Sequence, residues 1–312
     1  MKNLRRLSIR EKLLALCLAI VLAIAGWDIY RHHWTPTQVV STDHYTVYST
    51  CTLQQTQQTG AVAERLYAAY QDFLQRQQLA PRRHGKLAIK LYQSRDEMRF
   101  CNRMHGWVEA FYLRPYCHQY FCATEINPYH WMLHEATHQL NDLGAGLSLP
   151  QWLSEGIAEY FSTSRLENGR LVLGKIDTNT YPIWHIGFIA RSGDLDTDKR
   201  NGSFIPLRTI VAGSGGPPID EAFNLYYLHW WSLVHFLQHG QDGKYRAGFA
   251  RLLKTQGGLE DFSREIGDPD QIEREWHAYI LEKKRQLMRH PKPTGGAKPS
   301  MPPAPDRPPA TP

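Results

Sequence analysis

The sequence predicts an α+β domain, with a small mixed or antiparallel sheet beside two chemistry-bearing helices and a helical C-terminal part. Three observations lead there. Short alternating β-branched and aromatic runs are interleaved with helical stretches over residues 44–126. Two helices in succession, 127–140 and 149–161, carry paired histidines and paired glutamates at four-residue spacing. From Glu221 to about Arg289 apolar residues recur with helical period, broken only at 240–243, 257–258 and 267–269.

The individual elements follow from local chemistry. Residues 45–50 alternate and form the first strand, and apolar residues from Val62 to Leu74 define a helix over 61–79 that Pro81 stops. Residues 86–92 form a second strand. Ser94 and Glu97 have capping-box spacing for a short helix at 95–103. A third strand is expected at 106–114 and a further strand-like element at 115–126. Asn127 and Pro128 open the first histidine-bearing helix, and Leu149 and Pro150 open the next. Residues 166–218 are rich in Gly, Asp, Asn and Pro and read as loops with a hairpin at 166–174.

Bulk properties narrow the function classes. With 312 residues, 42% hydrophobic content, 9 Trp and 16 Tyr, the chain can bury a substantial core. Its net charge of +6 is dispersed, and neither the basic N-terminus nor Lys283, Lys284 and Arg285 makes a sustained stripe. No nucleic-acid partner is expected.

The N-terminus is of another kind. Lys2, Arg5, Arg6, Arg10 and Lys12 precede an apolar run over 13–27. A run of this length suits a signal peptide, with Ala23 and Ala25 as small residues before Gly26. Ile29, with Trp27 and Tyr30 as interfacial anchors, would instead extend it into an uncleaved signal anchor. Either reading exports the rest: a single pass through the inner membrane with a periplasmic domain, or release after cleavage. The expected organisation is 1–30 signal or anchor, 31–43 polar linker, 44–288 folded domain, and 289–312 Pro-rich disordered tail. Cys51, Cys101, Cys117 and Cys122 fall in the exported part and allow three pairings. The expectation is a local Cys117–Cys122 clip and a long Cys51–Cys101 closure. Without a C-x-x-C pair, a four-cysteine zinc site is not expected.

The chemistry is concentrated in His134-Glu135-Ala136-Thr137-His138. On a helix, His134 and His138 lie one turn apart on one face, so two imidazoles can share one zinc ion. Glu135 stands beside that face, where it can take a proton from water. Seventeen residues after His138, Glu155 lies on a second helix as a third, charged ligand, which leaves a fourth position open. Gly156 removes a side chain next to it and permits close approach to the first helix. Glu159, four residues beyond Glu155, can accept from the far nitrogen of a ligand histidine and fix its tautomer.

H-E-x-x-H followed by W-L-x-E-G-x-A resembles the gluzincin clan of zinc metallopeptidases, especially its aminopeptidase-N-like branch. Closer still is a bacterial family of uncharacterised peptidase-like domains with H-E-A-T-H and P-x-W-L-x-E-G-x-A-E-Y-F. The likeness covers 134–161 best and about 44–285 loosely. It implies a gluzincin-like fold, one Zn²⁺ on His134, His138 and Glu155, Glu135 as general base, and a peptide or protein substrate. It also implies a downstream Tyr or His facing the oxyanion. The segment 226–237 is similar to the clan's Tyr-x-x-x-Trp helix and offers Tyr227, then Tyr226 and His229. An edge strand before the metal helix, here 107–113, would pair with extended substrate. The Gly-x-Met-x-Asn signature of the aminopeptidase branch is absent. So is the metzincin pattern, because Asn141 and Gly144 stand where it needs Gly and His. The rival class is a non-catalytic envelope scaffold that retains the fold and the zinc.

Overall fold

A computed structural model describes residues 9–289, and the tail expected at 289–312 lies almost wholly outside them. Helix α1 (Ile9–Arg31) contains the apolar run and leaves Leu14, Val21, Leu22 and Trp27 exposed. No helix among the described residues is long and apolar enough to cross a membrane.

The expected linker at 31–43 is not wholly linker. It contains β1 (Gln38–Ser41), which pairs antiparallel with β2 (Tyr45–Ser49) so that Val40 faces Val47. Two consecutive valines beside a Thr42–Tyr45 turn suffice for a short edge strand, although the flanking residues are polar. Helix α2 (Leu53–Arg76) begins eight residues before the expected start at 61. Its start is set by a reciprocal cap: Thr52 accepts from the Gln55 N–H at 3.2 Å, and the Gln55 side chain accepts from the Thr52 N–H at 3.1 Å. The polar first turns carry no apolar period, so only the cap marks them.

Strands β3 (Leu87–Tyr92), β4 (Ala110–Leu113) and β5 (Tyr116–Tyr120) complete a mixed sheet of order β1-β2-β3-β5-β4. β2, β3 and β5 run parallel, and the two edges are antiparallel to their neighbours. Between β3 and β4, α3 (Arg95–Cys101) starts at Ser94, which accepts from the Glu97 N–H. The Glu97 carboxylate does not reach back to Ser94. It takes the Gln93 N–H and the Thr50 hydroxyl instead, tying α3 to the sheet.

The cysteine expectation is corrected: all five cysteines are free. Cys117 is buried within β5, and Cys122 lies beyond that strand's end. Along extended chain the separation is about 16 Å, far over the span of a disulfide. The Cys51 thiol instead donates to the Tyr92 carbonyl.

After the sheet come α4 (His130–Gln139), a π-helical turn (Leu140–Ala145) and α5 (Gln151–Ser162). A hairpin of β6 (Ser164–Glu167) and β7 (Arg170–Ile176) follows. The stretch 166–218 is more ordered than its composition predicts. It adds a 3-10 turn (Ile183–Phe188), α6 (Leu195–Arg200) and α7 (Leu207–Ala212). Each is only six residues long, too short to show a helical period. The C-terminal part is α8 (Ile219–His239), α9 (Arg246–Leu252), α10 (Leu259–Glu265) and α11 (Pro269–Arg289), broken where the glycines predict. One apolar core runs from α2 and the sheet through α4 and α5 to α8 and α11, with Trp152, Trp231 and Trp276 fully buried.

Candidate metal centre

Helix α4 is pinned to the sheet at its C-terminal end. The Gln139 amide donates to the carbonyls of Ala88 (3.0 Å) and Pro115 (2.7 Å), and Asn141 accepts from the Tyr70 hydroxyl at 2.8 Å. This fixes the rotation of α4, and therefore the direction of its histidines. Helix α5 crosses α4 on one side and α8 on the other. Gly156 makes the second crossing possible: a Cβ there would stand 2.7 Å from the Trp230 carbonyl oxygen and 2.7 Å from Val234. The close approach foreseen for Gly156 is thus to α8, not to α4.

The two helices bring together three ligand atoms. His134 Nε2 and His138 Nε2 are 3.1 Å apart, and Glu155 Oε2 is 3.3 Å from the first and 3.7 Å from the second. Donors bound at about 2.0–2.1 Å around a tetrahedral ion stand roughly 3.3–3.4 Å from one another. The triangle therefore has the size that one such ion requires. Among the described residues this is the one group of three or more His, Cys, Asp or Glu able to hold a metal.

The far sides of the imidazoles determine which nitrogens face inward. Glu159, whose side chain is 1% exposed, puts Oε1 3.1 Å from His134 Nδ1 and accepts from the Ser162 hydroxyl on Oε2. Ser154 lies 3.2 Å from His138 Nδ1. An ionised Glu159 can only accept, so it holds the hydrogen of His134 on Nδ1 and leaves the Nε2 lone pair pointing at the centre. Among the described residues, buried Glu155 Oε2 has no polar partner beyond the two imidazoles. Lone pairs thus converge where an electrophile belongs.

Electrostatics agree. Burial would keep His134 neutral, but Glu159 and Glu155 outweigh it and raise the imidazole pKa well above its usual value. Burial acts on Glu155 too, and the two histidines overcome it to hold that carboxyl far below the usual range. The centre calls for positive charge, which a divalent cation supplies. Glu135 is different. Burial raises its pKa, His134 and His138 oppose the rise, and the backbone of Tyr112 on edge strand β4 hydrogen-bonds to it.

The structure separates the three downstream candidates. The Tyr227 ring lies 6.2 Å from that of His134, and its hydroxyl pKa is driven up by burial and then by Glu155. Tyr226 points away, donating to the Pro217 carbonyl at 2.9 Å. His229 is fully buried, with Nδ1 on the Leu225 carbonyl and Nε2 accepting from the Ile205 N–H. Of the three, only Tyr227 lines the cleft beside His134.

The sequence reading missed Tyr181. Its hydroxyl is buried without a partner, and burial followed by Glu159 and Glu155 raises its pKa well above normal. Its ring stacks on Trp131 at 5.5 Å and leans on Tyr227 at 5.5 Å. It lies in the segment read as loop, where no periodicity singles out a residue. The aromatic cluster Tyr181, Trp184 and His185 is the one local signal.

The three ligand residues, Glu135, Tyr181 and Tyr227 line one cleft of about 2160 Å³. Small-molecule pockets run about 300–1,000 Å³, so this cleft has room for a chain segment. β4 forms one wall, and the 3-10 turn with the N-terminal half of α8 forms the other.

No curated protein matches the chain. Residues 130–255 are similar to a family described as a protein of unknown function, DUF1570, and that match contains His134, Glu135, His138, Glu155, Glu159, Tyr181 and Tyr227.

Proposed function

We propose that this chain is a zinc-dependent hydrolase of gluzincin type that cleaves peptide bonds. The observation that carries the reading is the triangle of His134 Nε2, His138 Nε2 and Glu155 Oε2, beside an unliganded buried Glu135. A zinc ion held there supplies Lewis acidity, polarising a carbonyl and acidifying water. Glu135 takes one proton from the attacking water as its oxygen bonds to the carbonyl carbon. It then delivers that proton to the amine nitrogen as the C–N bond breaks. Tyr227 directs its hydroxyl at the oxygen on which negative charge develops, and Glu159 keeps His134 in the ligating tautomer. β4, the last strand of the sheet, offers an unpaired edge to which extended substrate can add as a strand.

We place the protein in the cell envelope, held at the inner membrane by α1 or exported after its removal. The exposed apolar side chains of α1 support this, since no described part of the chain covers them. Fractionation that leaves the chain in the cytosol would remove this part of the reading.

The deciding experiment is Glu135→Gln. It is expected to keep one zinc per chain by elemental analysis and to lower peptide hydrolysis about 10²–10⁴-fold. Hydrolysis that survives the change, or a wild-type protein that binds no zinc, refutes the proposal. A cellular phenotype unaffected by Glu135→Gln would favour the scaffold.

A further inference from the structure

Two of the acids that line the cleft outside the metal centre, Glu109 and Glu125, have opposite surroundings. Glu109 is held by Arg95, has Arg99 at 3.8 Å, and accepts from the Tyr120 hydroxyl at 2.7 Å. Glu125 has no such support. Its side chain is 12% exposed, and its Oε2 is buried without a hydrogen-bond partner. His130 Nδ1 lies 3.2 Å from that oxygen, but it also stands 2.9 Å from the Asn127 carbonyl, which takes its hydrogen. Burial lowers the His130 pKa to about 4, so the ring is neutral near pH 7. Burial raises the Glu125 carboxyl to about 7, and only the Cys122 thiol and the Trp131 indole N–H work against it. Among the described residues no lysine or arginine offsets that burial. A desolvated carboxylate of this kind is stabilised by an incoming cation.

The position is informative. His130, His134 and His138 follow one another at four-residue spacing on α4. Glu125 meets the first of them, and the other two build the metal triangle. One helical turn is about 5.4 Å and one extended peptide residue about 3.3 Å, so a group held beside the first turn of α4 is on the order of one to three substrate residues from one bound at the metal triangle. Trp131 and Trp184, both in ring contact with His130 at 4.4 and 5.2 Å, line the cleft here. Aromatic faces attract cations.

We propose that Glu125, walled by Trp131 and Trp184, is a subsite for a basic side chain of the substrate, Lys or Arg, one to three residues from the cleaved bond. The inference rests on the peptidase reading of the metal centre. The cation provides the charge that the buried carboxylate lacks, and a guanidinium could engage both its oxygens. A second metal is not the occupant, because no third ligand joins Glu125 and His130 among the described residues.

The test uses the zinc-loaded full chain and peptides that differ at one position, carrying Lys, Arg, norleucine or Glu. The position is scanned over three residues on each side of the cut, with free and acetylated N-termini. Lys or Arg is expected to be favoured over norleucine by about tenfold or more at one position, and Glu125→Gln to reduce that ratio to about twofold or less. A ratio near one at every position overturns the proposal, as does a ratio that Glu125→Gln leaves intact. A preference that follows the free N-terminus rather than the side chain also overturns it. Binding of the same peptides to the Glu135→Gln protein, read by tryptophan fluorescence, separates the two readings. Charge-selective binding without wild-type cleavage would refute the peptidase and leave the subsite standing. Cleavage without charge selectivity would do the reverse.

Discussion

Helices α4 and α8 each carry a pair of touching histidines at four-residue spacing, His134 with His138 and His235 with His239, and the chemistry of the two pairs is opposite. His134 and His138 have ring centroids 4.8 Å apart, and so do His235 and His239. In α8 the nitrogens find neutral partners. His235 meets the Tyr279 hydroxyl at 2.7 Å and the Gly174 carbonyl at 3.1 Å, and His239 meets the Tyr160 hydroxyl at 2.8 Å. Burial lowers their pKa values to about 3 and about 4. In α4, Glu155 and Glu159 reach the imidazoles from the neighbouring helix and raise His134 instead. Spacing brings two rings together. The carboxylates decide whether the pair holds a cation or packs as core.

The largest expected effect tests that contrast directly. His134→Ala or Glu155→Gln is expected to abolish zinc retention after dialysis, whereas His235→Ala keeps one zinc per chain and loses about 1–3 kcal/mol of stability. Zinc lost equally in all three would mean that the α4 pair is not special. Next in size, Tyr227→Phe is expected to lower kcat about 10²–10³-fold with the metal retained, and Tyr226→Phe to leave kcat unchanged. If the hydroxyl of Tyr181 shares the task, Tyr181→Phe lowers kcat as well and the double variant is less than additive.

Glu159→Gln is expected to weaken zinc affinity about 10–100-fold in a chelator competition, because it removes the acceptor that orients His134. The smallest effect concerns α8. The His235 pKa of about 3 lies below the usual value of about 6.5. Between those values the unfolded chain binds a proton that the folded chain excludes, so stability falls as the pH drops through that window. Replacing His235 with Gln is expected to remove about 1.4 kcal/mol per pH unit of that slope, or about 2–4 °C in Tm. An unchanged slope between pH 6 and pH 4 would show that His235 already carries its proton in the folded state.

Legibility in the sequence differed by element and for identifiable reasons. The strands β2 and β3, the helix α5, and the breaks in the C-terminal helices have strong periodicity or unambiguous Gly and Pro, and each lies where the sequence predicts; α4 starts only at His130, because Asn127 and Pro128 form a turn in which Asn127 accepts from the Tyr129 N–H instead of capping the helix. The first turns of α2 and strand β1 were hidden because polar residues dominate them and only a cap or a turn marks the boundary. The expected Cys117–Cys122 clip failed on geometry, since a cysteine near the start of β5 cannot meet one beyond that strand's end. In the site, His134, Glu135, His138, Glu155 and Glu159 were legible because helical spacing is local. Tyr181 and Glu125 were not, since their significance lies in what they face.

By itself the sequence determined which side chains share a helix face. The rise and rotation of a helix are set by its backbone, so His134 with His138, and Glu155 with Glu159, follow from spacing alone. It could not determine what crosses that face. Only the tertiary structure decided that Gly156 brings α5 onto α8, that Glu159 backs His134, that Tyr227 rather than His229 turns toward the centre, and that Glu125 is buried without a cation. Those are contacts between elements distant in sequence, and packing, not local propensity, selects them.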